Sequence, residues 1–245
     1  MSESHAAHNR PTPQCVKFKD ISALDNALAE YVAQRLNEGI AARGTATLVV
    51  SGGSTPLGFF RRLAAISLPW SNIKITLADE RWVPIDHPDS NEGQLRQIFP
   101  ASALISMVSL RGEADSPEQQ VAQLNQQLQA SAPFDLVILG MGNDAHTASL
   151  FPDAPQLLAG LDPAASDACL LVDPPVAPHR RISMTLARLL NAEQILVHIT
   201  GEEKANVLQT AWSANSPEQY PIGAVLRQQR TPVFVFSDVL AQLEP

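Results

Sequence analysis

The stretch Phe134-Asp-Leu-Val-Ile-Leu-Gly-Met-Gly-Asn-Asp-Ala-His-Thr-Ala-Ser-Leu-Phe-Pro152 decides the fold. Leu136 to Leu139 is an unbroken apolar run of strand length, the pattern of a strand covered on both faces. It breaks at Gly140 and Gly142 into a tight turn that delivers Asp144 and His146 to one spot. A helical turn is expected to follow until Pro152 stops it. Open α/β sheets bind ligands in the crevice at the carboxyl ends of their strands. A histidine with a nearby carboxylate at that edge is the minimum equipment for general-base catalysis near neutral pH.

Working outward, Ile21, Leu24, Leu28, Tyr31, Val32, Leu36 and Ile40 recur at helical spacing, so residues 20 to 42 read as an amphipathic helix. Asp20 or Ser22 is its candidate cap, and Gly44 lies just past its end. Thr47 to Val50 is a short strand, followed by Ser51-Gly-Gly-Ser-Thr-Pro56. Pro56 suits a first helical position with Thr55 as cap, opening a helix through Leu63. Further strands are expected at Ile73 to Ala78, Leu104 to Leu110, Cys169 to Val172, Arg181 to Met184, Gln194 to Thr200 and Pro232 to Phe236. Helices are expected from Ser90-Asn91 to Phe99, from Ser116 to Ala130, and from Gly201 to about Trp212. Alternating strands and helices mean a mostly parallel sheet covered on both faces. Residues 14 to 245 are expected to form one α/β domain behind a polar, disordered lead-in, residues 1–13.

The formal charge of −8 argues against nucleic acid or an anionic membrane as partner. A few local cations and helix N-termini still suffice to bind an anion. Cys15 and Cys169 fit no metal or redox spacing, and no run is long enough to span a membrane. The expected protein is cytoplasmic, a monomer or homodimer, whose partner is a small molecule.

Three motifs carry chemistry. The turn Ser51, Gly52, Gly53, Ser54, Thr55 joins a strand to a helix N-terminus, so glycine backbone and exposed N–H groups suit a phosphate. It lacks the Lys-Ser/Thr ending of a P-loop. Asp79-Glu80-Arg81 ends a strand at the same edge, and Arg81 offers a planar fork for phosphate or carboxylate. Arg181 and Lys204 are further candidate cations. Gly140-Met-Gly-Asn-Asp-Ala145 matches a dinucleotide fingerprint only formally, because Pro152 truncates the helix such a fingerprint needs. No histidine pair has a zinc-hydrolase spacing, so no metal or other cofactor is expected. No Gly-x-Ser-x-Gly elbow supports Ser149 as nucleophile, so direct attack by water suits the residues better. His198 reads as packed in an apolar strand; His87 and His179 read as surface residues.

Taken in order, several stretches resemble the 6-phosphogluconolactonase family of the glucosamine-6-phosphate isomerase/6-phosphogluconolactonase superfamily. They are Ser51–Pro56, Asp79-Glu-Arg-Trp-Val-Pro84 with Ser90-Asn91, Gly140–Pro152, Arg181-Ile-Ser-Met-Thr185 and Gly201-Glu-Glu-Lys204. The resemblance implies a three-layer α/β/α modified Rossmann-like fold and metal-free hydrolysis of 6-phospho-D-glucono-1,5-lactone, a step of the oxidative pentose phosphate pathway. It implies His146 as general base with Asp144 orienting it. It also implies that Ser51 to Thr55, Asp79, Arg81, Asn91, Gly140, Gly142, Arg181 and Lys204 bind the substrate. The Arg180-Arg181 doublet leaves open which arginine faces the site, although Arg181 matches the motif.

Relatives usually carry glycine at position 145; if that backbone is left-handed, alanine costs roughly 1 kcal/mol. Two rival activities differ from this chain at identifiable positions. An aldose–ketose isomerase and deaminase has Asn-Glu-Pro where this chain has Leu150-Phe151-Pro152, and a tyrosine in place of Arg81. A sugar-phosphate sensor needs a basic helix-turn-helix ahead of the ligand domain, and residues 1 to 44 offer one helix and few positive charges.

Overall fold

The computed structural model describes residues 12–129 and 131–244. Residues 1–11 of the expected lead-in lie outside the described residues, as does Ala130 at the expected end of a helix. The apolar runs form a six-stranded parallel sheet: β1 (Gln14–Lys17), β2 (Ala46–Val50), β3 (Ile73–Leu77), β5 (Leu136–Leu139), β8 (Ile195–Ile199) and β9 (Val233–Ser237). Their spatial order is β1-β9-β8-β5-β2-β3. Every residue of β5 and β8 is buried, as two-sided coverage demands of strands without alternation. A second, antiparallel sheet joins β4 (Asp79–Arg81), β7 (Arg181–Met184) and β6 (Cys169–Val172). The helices are α1 (Ile21–Arg43), α2 (Leu57–Ala65), α3 (Asn91–Ile98), α4 (Ala101–Leu104), α5 (Pro117–Gln129), α6 (Leu157–Leu161), α7 (Leu186–Leu189), α8 (Glu202–Ser213) and α9 (Ile222–Arg227). No helix among the described residues is long and apolar enough to cross a membrane.

From β2 the chain steps outward to β3, and from β5 it steps the other way to β8 and β9, while β2 and β5 lie side by side. That is a topological switch point: crossovers leaving it in opposite directions carry their helices to opposite faces and leave a crevice at the carboxyl ends. This is an α/β, Rossmann-like architecture with helices flanking a mostly parallel sheet. The residues after β2 and β5 are Ser51 and Gly140, and the Gly140 amide donates to Ser51 Oγ across the gap at 3.3 Å.

Local chemistry sets the boundaries. The side chain of Asp20 accepts from the Ala23 amide, and Gly44 ends α1 with φ 79°, the left-handed stop that glycine allows. Thr55 does not cap α2 as expected. The helix starts at Leu57 without a side-chain cap of its own; the Phe59 amide is met by the Asp25 carboxylate of α1.

Two further expectations fail, and one strand has no counterpart among the expected elements. Leu104–Leu110 is no strand: Leu104 ends the short α4, and Val108 alone bridges to Thr76 at the sheet edge. Ile105 of that run is 79% exposed while Leu110 is fully buried, so its apolar residues do not share one strand face. No helical turn follows His146 either. Thr147 and Leu150 form a bridge around Ala148, whose φ is 48°, and a left-handed residue interrupts any helix. Gln14–Lys17, with polar ends, went unread and pairs along β9.

Asp79–Arg81 does not simply end β3; it turns into the second sheet, where Glu80 becomes a buried fastener. Its carboxylate accepts from the amides of Arg81, Asn91 and Glu92 and from Ser90 Oγ, which locks the start of α3 under β4. Burial raises its pKa, and the three amides pull the other way. Glu80→Ala strips all of these donors of their acceptor, so we expect a loss of about 3 kcal/mol or more. Denaturant titration checks this, and an unchanged midpoint would remove Glu80 from the framework.

Candidate active site

Apart from Asp144, every residue singled out from sequence lines one cavity of about 290 Å³ at the switch point. Ser51, Gly52, Gly53, Ser54 and Thr55 form one wall, Gly140, Gly142 and His146 another, and Asp79, Arg81, Asn91, Arg181 and Lys204 complete it. The Ser51–Thr55 turn works as backbone because Gly53 sits at φ 100°, a conformation open to glycine. A Cβ on Gly52 would collide with the Asn91 carboxamide. That carboxamide donates to the Asp79 carbonyl, and its Oδ1 is buried without a partner among the described residues.

His146 is fixed from two sides. Its Nδ1 lies 2.5 Å from Asp144 Oδ1, and its ring rests on Phe151 with centroids 4.3 Å apart. Burial pushes the Asp144 carboxyl up, but the hydrogen bonds and charge of His146 outweigh it and hold the pKa below the usual carboxylate value. An ionised carboxylate only accepts, so the proton of the neutral ring sits on Nδ1 and Nε2 is left as the basic nitrogen. The intervening Ala145 has φ 65°, so the left-handed condition raised for that position holds. Its carbonyl accepts from the Ile222 amide, which braces the turn against the start of α9. Gly142 must lack a side chain, because a Cβ there would overlap both the imidazole and the Asp144 carboxylate.

The cations converge without partners of opposite charge. Arg81 and Arg181 face each other in register across β4 and β7. Arg81 donates to the Asp89 carbonyl, and Arg181 to the carbonyls of His179 and Pro178. Neither forms an ion pair with a carboxylate among the described residues, and the same holds for Lys204, whose Nζ lies 3.4 Å from Thr55 Oγ1. Burial lowers the Arg181 pKa, and the charge of Arg81 lowers it further. Burial also lowers that of Lys204, partly offset by Glu203. An anion placed among them relieves both penalties. Arg180 turns away to Glu118 and Asp173 at 2.8 and 2.9 Å, so the doublet resolves in favour of Arg181.

Ser149 donates to Asp79 Oδ2 at 2.5 Å, is fully buried and does not line the cavity, in keeping with a supporting place. His198 is packed, as its sequence suggested, yet it also lines the cavity beside Met141, Phe151 and Ala177, which sequence reasoning passed over. The usable signal was position: one polar residue near the carboxyl end of a buried strand. Both ring nitrogens of His198 are buried without partners among the described residues.

Burial, with Lys204 adding to it, pushes the His198 pKa down to about 4 from 6.5. The folded state therefore holds the ring neutral while the unfolded chain takes up a proton. The resulting stability is complete above 6.5 and is lost as pH falls through the window down to about 4. We expect this one group to remove about 2 kcal/mol between roughly pH 7 and pH 5. Denaturant midpoints of wild type and His198→Gln at both pH values test it; an equal slope in the variant would assign the loss to other groups.

Comparison with known proteins matches residues 19–234 to the family described as glucosamine-6-phosphate isomerases/6-phosphogluconolactonase. A 6-phosphogluconolactonase of Pseudomonas putida is 41% identical over 87% of this chain and 90% of its own. One of Mesorhizobium japonicum is 43% identical over 89% of this chain and 92% of its own. The crystal structure of a 6-phosphogluconolactonase from Shewanella baltica superimposes with a TM-score of 0.87 at 40% identity, covering 93% of this chain and 98% of that one.

Proposed function

Because this chain belongs to the glucosamine-6-phosphate isomerase/6-phosphogluconolactonase family, we propose that it hydrolyses 6-phospho-D-glucono-1,5-lactone to 6-phosphogluconate by His146-assisted attack of water, without a metal. One observation carries the reading: the basic imidazole and the unpaired cations with their glycine turn line the same small cavity. A phosphorylated sugar lactone carries an anion and an electrophilic carbonyl in one small molecule, and this cavity offers cations and a base together.

In this reading Arg81, Arg181, Lys204 and the Ser51–Thr55 turn hold the phosphate. That remote binding energy holds C1 beside His146. His146 Nε2 takes a proton from water as its oxygen bonds to C1, giving a tetrahedral oxyanion and an imidazolium steadied by Asp144. Backbone N–H groups of the Gly140–Asn143 turn or an arginine meet the oxyanion charge. Collapse breaks the bond from C1 to the ring oxygen, which receives the proton back from the imidazolium. Metal-free chemistry fits the donor set. The cluster of three possible metal ligands among the described residues, His87, Asp89 and His179, lies outside the cavity lining.

The test is acid release from freshly generated phosphogluconolactone, corrected for spontaneous opening, with glucosamine 6-phosphate offered in parallel. Release well above background with no ammonia from the amino sugar supports the proposal. Acid release at background overturns it, and ammonia production in its place assigns the chain to the isomerase branch of the family.

A further inference from the structure

We propose that His87, Asp89 and His179 form a site for one zinc-like divalent cation that ties together two loops behind the pocket arginines. The ligand atoms His87 Nδ1, one Asp89 carboxylate oxygen and His179 Nε2 all lie within 4.8 Å of one another. The two imidazoles meet edge to face with centroids 5.2 Å apart. His179 Nε2 is 3.0 Å from Asp89 Oδ2, and His87 Nδ1 is 3.9 Å from the same oxygen. A tetrahedral ion at about 2.0–2.2 Å from nitrogen and oxygen ligands spaces those atoms by about 3–3.5 Å. The Asp89–His179 pair already stands at that spacing, the Asp89–His87 pair needs to close by less than about 1 Å, and the two histidine ligand atoms lie within 4.8 Å of each other.

The protonation pattern suits an ion. Nδ1 of His87 accepts from the Asp89 amide at 3.1 Å, so in the neutral ring its one lone pair lies on the Asp89 side with the proton on Nε2, and an ion takes the place of that hydrogen bond. His179 Nε2 shares the proton that an incoming cation displaces, as metal binding at histidine does. Two imidazoles and a carboxylate match the ligand preference of zinc and its neighbours better than that of magnesium or calcium. The side chains are about a third to a half exposed, so an ion has access, and water can complete the coordination.

None of the three residues lines the cavity. Each loop nevertheless carries a carbonyl that holds a pocket cation: Asp89 accepts from Arg81, and His179, at φ 67°, accepts from Arg181. A cation bridging these loops fixes the supports of both guanidinium groups, which makes it a structural tie and no part of the chemistry.

Chelator-treated full-length protein titrated with Co²⁺ tests this by visible d–d absorption. The expected result is one saturating equivalent, with affinity weakened by at least about tenfold in both His87→Ala and His179→Ala, and unchanged in His146→Ala. Circular dichroism confirms that each variant is folded, and His87→Gln replaces any that is not. Absence of saturable absorption at millimolar Co²⁺ would overturn the proposal. So would binding that survives both substitutions, since that places the ion elsewhere, for example at His5 and His8 or on His146.

Discussion

Alanine in place of His146 is expected to cut turnover by about a hundredfold or more, the usual scale for losing a general base. The fold should persist, because the ring is a partly exposed group whose described contacts are to Asp144 and Phe151. The loss should fall on kcat, with little change in KM, because in the proposed reaction the phosphate is held by Arg81, Arg181, Lys204 and the Ser51–Thr55 turn and not by the imidazole. Asp144→Asn is a graded companion: it keeps the side-chain shape but removes the charge that fixes the Nδ1 proton and steadies the imidazolium, so its loss should be smaller than that of His146→Ala. Initial rates of acid release, corrected for spontaneous opening, check both. Near-normal turnover in His146→Ala would take the imidazole out of the reaction.

Arg81→Ala and Arg181→Ala are each expected to lower kcat/KM by about tenfold to a hundredfold, the worth of one charge-assisted hydrogen bond at about 1.5–3 kcal/mol. For Arg81 the change should appear mainly in KM. Arg181 should cost more, since it also holds the Pro178 and His179 carbonyls and so shapes the loop that brings Ala177 to the cavity. A second signature separates anion binding from architecture. Two guanidinium groups in register repel each other when the pocket is empty. Arg81→Ala should therefore be no less stable than wild type without ligand, yet gain less melting temperature from added 6-phosphogluconate. Unchanged KM together with an unchanged ligand-induced shift would remove Arg81 from the phosphate site.

What the sequence made legible, and what it hid, follows from the range of the interactions involved. The strand Leu136–Leu139 and the two glycine turns are local patterns, so their place at one sheet edge could be read directly. The left-handed backbone at Ala145 was signalled only through the resemblance, by the glycine that relatives carry at that position. The hidden features are pairings across long stretches of chain. Glu80 takes its partners from residues 90 to 92, and nothing near Glu80 announces a buried carboxylate. Arg81 meets Arg181 only through the antiparallel pairing of β4 with β7, and His198 joins the site from a strand far along the chain. The misread stretch Leu104–Leu110 shows the converse: it is apolar and of strand length, but it runs past a sheet edge that it touches at one residue.

The low pKa of Asp144 has a consequence after the ring has opened. In the proposed reaction a neutral carbonyl enters beside His146 and a carboxylate leaves in its place, while Asp144 stands behind the ring, outside the cavity lining. The new negative charge then faces the ionised Asp144 across the imidazole. The side chain that readies the base is therefore expected to weaken the hold on the open-chain acid relative to the lactone.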